Sequence, residues 1–297
     1  MQIESYEKAG KIAGEVREDV RNKNWVGRTV EEICEYVESE IIKKGAKCAF
    51  PVNTSINEVA AHYTAEPNDT ITISDTDLVK IDLGAQIDGF IADTAVTVNY
   101  NPKYDMLVQT AENALQGAMS MIKSGIKSKD VGRTIQKTIQ DMGFKPIANL
   151  SGHSLDQYTI HAGKTVPNTW TIGSFTFPEN EAFACEPFVT THEGLGYVRN
   201  GQIKNIFALV SRKQTKDEDA NKLLEYIWTN FNMLPFALRW VLREWEEKEA
   251  RKLLEFLVKK KAVHSYPILV EANGEAVAQA EHTFIPTATG VNVTTMV

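Results

Sequence analysis

The stretch Val79–Val98, VKIDLGAQIDGFIADTAVTV, predicts two apolar strands joined by a short turn over Gln86–Gly89. Asp82 lies in the first of these strands, and Asp93 lies in the second. Side chains alternate between the two faces of a strand, so the pairing register decides how close the two carboxylates come. The rest of the chain is organised around this hairpin.

The sequence leaves two registers open. A turn centred on Ile87-Asp88 places Asp82 directly opposite Asp93. A turn centred one residue later makes Ala95 the partner of Asp82 and leaves Asp93 diagonal to it. The carboxylates share one face in both cases, about 5 Å apart if opposite and roughly 7–8 Å apart if diagonal. At about 5 Å they repel by roughly 3 kcal/mol at an effective dielectric constant near 20. Unless both are solvated at a sheet end, one is protonated or a cation lies between them.

Composition indicates a soluble protein of a reducing compartment, and we expect the cytoplasm. The chain has 297 residues with 43% hydrophobic and 24% charged residues, which is ordinary for a globular protein. A net charge of −7 argues against nucleic acid as the main partner. Three cysteines without a CxxC pair indicate neither a disulfide framework nor a thiolate zinc site. The amphipathic N-terminus does not resemble a signal peptide, and no apolar run is long enough for a membrane span.

The first half of the chain predicts two helices and then strands. Apolar residues recur at helical spacing over 3–22, and Thr29 with Glu32 has the spacing of a capping box that opens a second helix. That helix should end near Gly45, a typical C′ glycine. A strand over Ile71–Ile73 is expected to precede the hairpin.

The pattern then starts again, which predicts a duplicated α+β unit. Helical periodicity returns over 107–122 and 129–142, and the second of these helices should end near Gly143. The strings Val26–Val30 (VGRTV) and Val131–Ile135 (VGRTI) are each expected to open the second helix of a half. Two such halves would form a curved, pseudo-two-fold platform of strands with the helices outside.

The regularity breaks after the second half. Residues 194–270 contain three helical apolar patterns and predict a helical insertion subdomain. Residues 1–193 and 271–297 are then one catalytic domain, with final strands over Ala276–Phe284 and Gly290–Met296 returning to the sheet. The insertion is expected to be a satellite and not part of the catalytic core.

Four further positions could carry chemistry. His153 follows a glycine in a turn-like stretch, and His161 ends a predicted strand, Tyr158–His161. Glu186 interrupts an apolar strand and is held extended by the proline after it, while Glu281 stands among small and apolar strand residues. Each alone could be a structural histidine or a solvent-facing glutamate. Together with the two aspartates they form a carboxylate-rich set with few nitrogens, which suits two divalent ions such as Mn, Fe(II), Co or Zn.

The ordered set Asp82, Asp93, His153, Glu186 and Glu281 resembles the five-ligand signature of the methionine aminopeptidases, which have the pita-bread fold. The resemblance covers essentially the whole chain. The flanks HYTAEPND, NPKYD, NLSGHSLDQYTIHAGKTVP, ACEPF and AEHTF and the insertion between the two glutamates are similar to the type II branch, in an archaeal-like form without a long N-terminal extension. The resemblance therefore implies an α+β pita-bread fold with the helical insertion.

The resemblance implies a role for each ligand. Asp82 would bind one metal ion, His153 and Glu186 would bind the other, and Asp93 and Glu281 would bridge them. Glu186 would also carry the proton from water to the leaving amine.

The same resemblance assigns substrate contacts. His62 and His161 would contact the substrate carbonyl or the scissile amide and stabilise the tetrahedral intermediate. The methionine side chain would lie in a pocket lined by five residues: Phe50, Pro51, Asn53, Ile160 and Tyr266. The substrates would be N-terminal methionyl peptides and nascent chains with a small second residue. The enzyme is expected to be a monomer, with the ribosome as a candidate partner and no membrane or nucleic-acid substrate.

Two rival functions remain at this point. An Xaa-Pro aminopeptidase or prolidase-like enzyme shares the fold, but such enzymes usually carry a preceding domain and differ around the glutamates. A non-catalytic binding protein of the same fold would have lost the ligands, whereas all five positions here hold competent residues. The resemblance assigns no role to Lys164, His192, His264 or His282.

Overall fold

The structure is a computed structural model that describes residues 2–297. These residues form seven α-helices: α1 (Gln2–Asn22), α2 (Val30–Lys43), α3 (Asp105–Met121), α4 (Ser128–Asp141), α5 (Glu218–Phe231), α6 (Leu238–Val241) and α7 (Glu247–Lys259). A single 3₁₀ turn, Pro102–Tyr104, precedes α3. Among the described helices, none has the length and apolar character to cross a membrane.

The strands form five antiparallel sheets. Their bounds are β1 (Lys47–Cys48), β2 (Asn53–Ile56), β3 (Val59–Ala61), β4 (Leu78–Ile87), β5 (Phe90–Asn99), β6 (Lys145–Pro146), β7 (Ser151–Leu155), β8 (Thr165–Pro167), β9 (Ala182–Cys185), β10 (Phe188–Thr190), β11 (Val198–Asn200), β12 (Ile206–Leu209), β13 (Phe236–Ala237), β14 (Val263–Tyr266), β15 (Leu269–Glu271), β16 (Val277–Gln279), β17 (His282–Pro286) and β18 (Val291–Val293). The sheet orders are β1-β4-β2 with β5 on the other edge of β4, β18-β17-β9-β7-β8, β16-β10-β6, β11-β15-β3 and β13-β12-β14. Helices and antiparallel sheets together confirm the α+β class.

The first half is built as the sequence predicts. Thr29 accepts a hydrogen bond from the Glu32 amide while the Glu32 side chain accepts from the Thr29 amide, so the capping box is present at the start of α2. Gly45 follows the helix with φ +91°, a conformation that costs glycine little. The apolar faces of α1 and α2 pack on β4 and β5 in one cluster of buried residues.

The second half repeats this plan. α3 and α4 cover β9, β10 and β16 with a separate buried cluster. Corresponding elements are 98 residues apart: α2 begins at Val30 and α4 at Ser128, and each starts one residue after an isolated bridge, at Thr29 and at Lys127. The turn glycines Gly27 and Gly125 both have positive φ. The structure therefore has two equivalent halves.

The repeated sequence strings are not the equivalent positions. They are 105 residues apart, and Val131–Ile135 lies inside α4, whereas Val26–Thr29 precedes α2. The glycines of the two strings, Gly27 and Gly132, also have different structural roles. Gly27 adopts φ +82° in a turn, but Gly132 lets the Thr169 carbonyl approach, since a Cβ there would lie 2.4 Å from that oxygen. The predicted duplication is confirmed, but the two strings do not occupy equivalent positions in the two halves.

Three predicted strands also need correction. Ile71–Ile73 forms only an isolated bridge, at Thr72. The stretch Ala276–Phe284 is broken into β16 and β17, and the strand around Glu186 is broken into β9 and β10. Both breaks occur where the chain passes from one sheet to another, which period-2 alternation does not reveal.

The segment over 194–270 is not purely helical. It contains α5, α6 and α7, which pack with β12, β13 and β14 around their own buried cluster. Two of its other strands, β11 and β15, extend the sheet of β3 from the first half. The division into a catalytic domain and an insertion subdomain at 193/194 and 270/271 remains a prediction.

Candidate metal centre

The hairpin has the second of the two registers. Asp82 pairs with Ala95, and Asp93 pairs with Gly84, so the two aspartates are diagonal neighbours on one face. The turn is Asp88-Gly89, and Asp88 has φ +53°. Ligand oxygens of Asp82, Asp93 and Glu281 all lie within 4.8 Å of one another. A third carboxylate, that of Glu281, therefore lies against the face that the two aspartates share.

The two strand breaks bring the two glutamates to this face. Glu186 lies between β9 and β10, and Glu281 lies between β16 and β17. These pairs of strands are themselves paired, with Cys185 opposite His282 and Phe188 opposite Gln279. The two breaks are consequently side by side, and each releases one carboxylate from the regular alternation of its strand.

His153 lies on β7, next to β9, and closes the group. Its Nε2 is 3.7 Å from Oδ2 of Asp93 and 3.6 Å from Oε1 of Glu186. The residue as a whole is only 9% exposed. Burial lowers the pKa of His153 to about 3, so the imidazole is neutral at neutral pH and has a lone pair to offer.

The carboxylates are buried without enough partners. One oxygen of each of Asp82, Asp93 and Glu281 has no hydrogen-bond partner among the described residues. Burial raises the pKa of Asp82 to about 7. Burial first, and then the charges of neighbouring carboxylates, raise the pKa values of Asp93 and Glu281 well above the usual range. Unpartnered buried oxygens with such unfavourable ionisation are what a divalent cation would satisfy.

Hydroxyl and amide groups hold these ligands in place. Thr283 donates to the Asp93 carbonyl at 2.8 Å and accepts from the Asp93 amide at 2.7 Å. Thr94 donates to the Glu281 carbonyl, and Arg17 donates to Thr94. The side chain of Gln279 donates to Glu281 at 3.3 Å. The metal face is thus tied to α1 and to both halves of the fold.

The five residues open into a central cavity of about 320 Å³. Its wall includes Phe50, Asn53, Ile160 and Tyr266, so four of the five predicted methionine-pocket residues lie there. Pro51 is buried, and among the described residues it is not on the wall. Residues Ile206 and Pro235 of the 194–270 segment also line the cavity, so this segment contributes to the site and is not a mere satellite.

Two histidines that are not in the ligand set also face the cavity. His62 has φ +66°, which is unusual for a residue with a side chain, and its Nδ1 lies 3.3 Å from the Pro267 carbonyl. Burial lowers the pKa of His62 to about 4, so it is neutral at neutral pH. The ring of His161 lies edge-on to that of His153, with centroids 4.4 Å apart.

Comparison with known proteins places the chain in a family. The model of metallopeptidase family M24 matches residues 4–205. A methionine aminopeptidase from Methanocaldococcus jannaschii is 41% identical over 298 aligned positions, which cover 99% of this chain and 100% of the relative. The chain belongs to the methionine aminopeptidases of metallopeptidase family M24.

Solved structures agree on the fold of this metallopeptidase. A methionine aminopeptidase from Thermotoga maritima superposes with a TM-score of 0.71 at 22% identity, covering 100% of this chain and 97% of that one. A thermophilic Arx1 superposes with a TM-score of 0.82 at 17% identity, covering 99% and 90%. The pita-bread fold expected from the sequence is thereby confirmed. Family membership also makes the chain a hydrolase that uses divalent metal.

The structure places the predicted ligands of this metallopeptidase together but corrects their local context. His153 is in a strand and not in a turn, because β7 pairs with both β8 and β9. His161 is in a loop and not at the end of a strand. The sequence interpretation missed Gln279, which stands two residues before Glu281 and donates a hydrogen bond to its carboxylate.

The unassigned histidines lie away from this face. His192 is exposed beside Glu193, and His264 packs edge-on against Tyr266. His282 points to the other side of its strand, where Nδ1 accepts from Arg17 at 2.9 Å and lies 2.8 Å from the Thr295 hydroxyl. Lys164 pairs with Glu181 at the edge of the cavity.

Proposed function

We propose that this metallopeptidase removes the N-terminal methionine from peptides and nascent proteins with two divalent ions at the five-residue centre. The observation that carries the proposal is the set of buried, unpartnered oxygens facing a neutral imidazole inside one cavity. Asp82 would hold one ion, and His153 with Glu186 would hold the other. Asp93 lies between them, within ligand distance of Asp82 on one side and 3.7 Å from His153 on the other, which supports a bridging role for it and for Glu281.

Bound ions in such a centre polarise the scissile carbonyl and lower the pKa of water. Glu186 would accept the proton from the attacking water and pass it to the leaving amine, a role supported by the position of its carboxylate at the cavity wall beside His153. Without metal, burial and the charge of Asp82 raise the pKa of Glu186 well above its usual range. Mn, Fe(II), Co and Zn all suit these ligands.

The hydrogen bond of His62 fixes its tautomer. The Pro267 carbonyl can only accept, so Nδ1 of the neutral ring carries the proton and Nε2 is an acceptor. An acceptor suits the N–H of the scissile amide. His161, whose ring lies edge-on to that of His153, would then contact the carbonyl oxygen of the scissile bond.

The wall of the cavity suits a methionine side chain. Phe50, Ile160 and Tyr266 present aromatic and aliphatic surface, which fits a flexible thioether. Protein N-termini with a small second residue are the proposed substrates. A monomeric state and contact with the ribosome remain predictions.

Hydrolysis of defined peptides by metal-free and reconstituted protein tests the proposal. Wild-type protein loaded with Mn, Fe(II), Co or Zn should release methionine from Met-Ala-Ser, and His153→Ala and Asp93→Asn should abolish release. His192→Ala is the matched control, since it removes an exposed histidine outside the site. Cleavage of Xaa-Pro but not of Met-Ala peptides would favour a prolidase-like function, and no cleavage with any of the four ions would contradict the proposal. Metal analysis of protein purified from its own cells would identify the ion.

A further inference from the structure

A second concavity continues from the central cavity along the protein surface. This side trough, of about 630 Å³, shares six wall residues with the central cavity: Asn149, Leu150, Ser151, Gly163, Lys164 and Thr165. It then passes Pro167 and ends among residues 169–175. The shared residues place the side trough directly beside the central cavity.

The far end of the side trough presents an anchored aromatic ring. Trp170 is 47% exposed although it is the largest side chain on the wall. Its backbone is held, because its amide donates to the Gln136 side chain at 2.9 Å and the preceding Thr169 carbonyl packs on Gly132 of α4. A fixed backbone with an exposed indole is suited to contact with another molecule.

The middle of the side trough is formed by an edge strand. β8 is the last strand of its sheet, and among the described strands it pairs only with β7. Thr165 is the exposed residue of this strand, whereas Val166 and Pro167 are buried beside α4. Lys164 is the one charged residue on the described wall, and it is already paired with Glu181. Backbone and apolar contacts, and not charge, must dominate recognition here.

We propose that the side trough binds the substrate polypeptide downstream of its second residue and favours an aromatic or large aliphatic side chain against Trp170. The proposal rests on the proposed function, since a polypeptide whose N-terminus lies at the metals must leave the central cavity by an open path. The position of the side trough directly beside the central cavity selects the substrate itself as the occupant.

Peptide kinetics test the side trough. The substrates are Met-Ala-Ser, an octapeptide that starts Met-Ala-Ser and continues with Gly and Ser, and four versions of it with one Phe at positions 3 to 6. In wild-type protein, one Phe position should raise kcat/KM over the Gly/Ser octapeptide by about 3- to 10-fold, the gain expected from one aromatic contact. Trp170→Ala should remove this gain and leave Met-Ala-Ser within about 2-fold of wild type.

Ile172→Ala is the matched control, because Ile172 is in the same loop and 87% exposed but is not on the described wall. It should keep the gain, and the gain should persist in 0.5 M NaCl, since little charge is involved. An equal effect of Trp170→Ala on short and long peptides, or no benefit from Phe at any position, would overturn the proposal.

Binding separates this result from failure of the proposed function. Octapeptides carrying a C-terminal fluorophore should bind metal-free wild-type protein more tightly than metal-free Trp170→Ala, as measured by anisotropy. Such binding without hydrolysis of Met-Ala-Ser by the metal-loaded enzyme would contradict only the proposed function. Hydrolysis without this difference in binding would contradict only the proposal that the side trough binds the substrate. A second copy of the chain seated on the loop would instead show as a dimer lost in Trp170→Ala by analytical ultracentrifugation.

Discussion

The ring of Phe50 packs directly on the backbone of Gly84, where an added Cβ would lie 2.2 Å from Cε1 of the ring. Gly84 is also the residue that faces Asp93 across the hairpin. A single position on β4 therefore connects the metal face to the wall of the proposed methionine pocket. Glycine is required here because of close approach, since its φ is not in the left-handed region.

Substitution Gly84→Ala should displace Phe50 and disturb both functions of this position. Overpacking of this kind costs roughly 1–3 kcal/mol of unfolding free energy. We expect KM for Met-Ala-Ser to rise more than kcat falls, because the pocket wall moves while the ligands stay on the same strands. Urea unfolding and steady-state kinetics measure the two effects. Gly290→Ala is the control, since nothing lies within 4 Å of a Cβ there, and an equal loss in both variants would contradict the packing argument.

The contribution of Asp82 to the stability of metal-free protein should fall as pH rises from about 4 to about 7, while the buried histidines, with lowered pKa values, titrate with the opposite sign below about pH 6.5. Burial raises the pKa of Asp82 to about 7, whereas an unfolded aspartate titrates near 4. Between these values the folded state binds more protons than the unfolded state, so its stability is full below about pH 4 and is lost as pH rises through the folded pKa. Urea unfolding of wild type and of Asp82→Asn in EDTA at several pH values should show this fall as a change in the difference between the two proteins. Added divalent metal should reverse it, because the ion binds only the folded centre.

Asp82→Asn separates the titration from other effects of pH. In EDTA this variant should be more stable than wild type at pH 7.5, and its stability should fall less steeply with pH, by at most about 1.4 kcal/mol per pH unit. It should also gain less from added metal, since one ligand is lost. If the stability of the metal-free variant changed with pH as steeply as that of wild type, burial would not be what raises the pKa of Asp82.

The segment over 194–270 is fastened to the first half by a buried ion pair. Arg239 of α6 donates to both oxygens of Glu38 on α2, at 2.7 and 3.2 Å, and both side chains are about 5% exposed. Trp240 donates to the same carboxylate at 2.8 Å. Arg239→Met should cost about 3–5 kcal/mol of unfolding free energy, because it leaves the Glu38 charge buried and unpaired.

The double variant Glu38→Gln with Arg239→Met should recover part of that loss. Glutamine is neutral and still accepts from Trp240, so the main penalty disappears. Arg251→Met is the matched control: Arg251 pairs with Glu247 at the surface, and its removal should cost about 1 kcal/mol or less. All three are compared by urea unfolding. A double variant less stable than Arg239→Met alone would show that the charge is not the source of the cost.

Local sequence signals predicted the parts of this molecule that depend on neighbours in the chain. The capping box at Thr29, the C′ glycine at Gly45 and the hairpin arms around Asp82 are each encoded within a few residues. The carboxylate set could be recognised because its acids stand in apolar surroundings, where an acid without a partner is costly.

Long-range pairing accounts for what the sequence did not reveal. The hairpin register depends on one residue of turn geometry, and both registers satisfied the same alternation. The breaks that release Glu186 and Glu281 arise because two strands change sheets at the same level, which no local pattern specifies. His161 lies in a loop whose backbone is hydrogen-bonded to Ser154, a long-range partner on β7. The sequence of the segment Tyr158–His161, taken alone, predicts a strand.

His62 offers the sharpest test of the catalytic assignments. Asparagine tolerates the left-handed backbone of this position, so His62→Asn should fold normally, whereas His62→Ala should lose about 1 kcal/mol or more of unfolding free energy. If Nε2 accepts the N–H of the scissile amide, His62→Asn should lower kcat for Met-Ala-Ser by about 10²-fold.

The leaving residue distinguishes this role from a structural one. A Met-Pro bond has no N–H at the scissile position, so the hydrogen bond to His62 cannot form with Met-Pro-Ser in any version of the enzyme. We therefore expect His62→Asn to slow Met-Pro-Ser far less than Met-Ala-Ser, whereas His161→Asn, which removes a contact to the carbonyl oxygen, should slow both alike. Steady-state kinetics of the two tripeptides with the two variants give the four ratios. Equal losses on both substrates in His62→Asn would mean that His62 only shapes the cavity, through its contact with the Pro267 carbonyl.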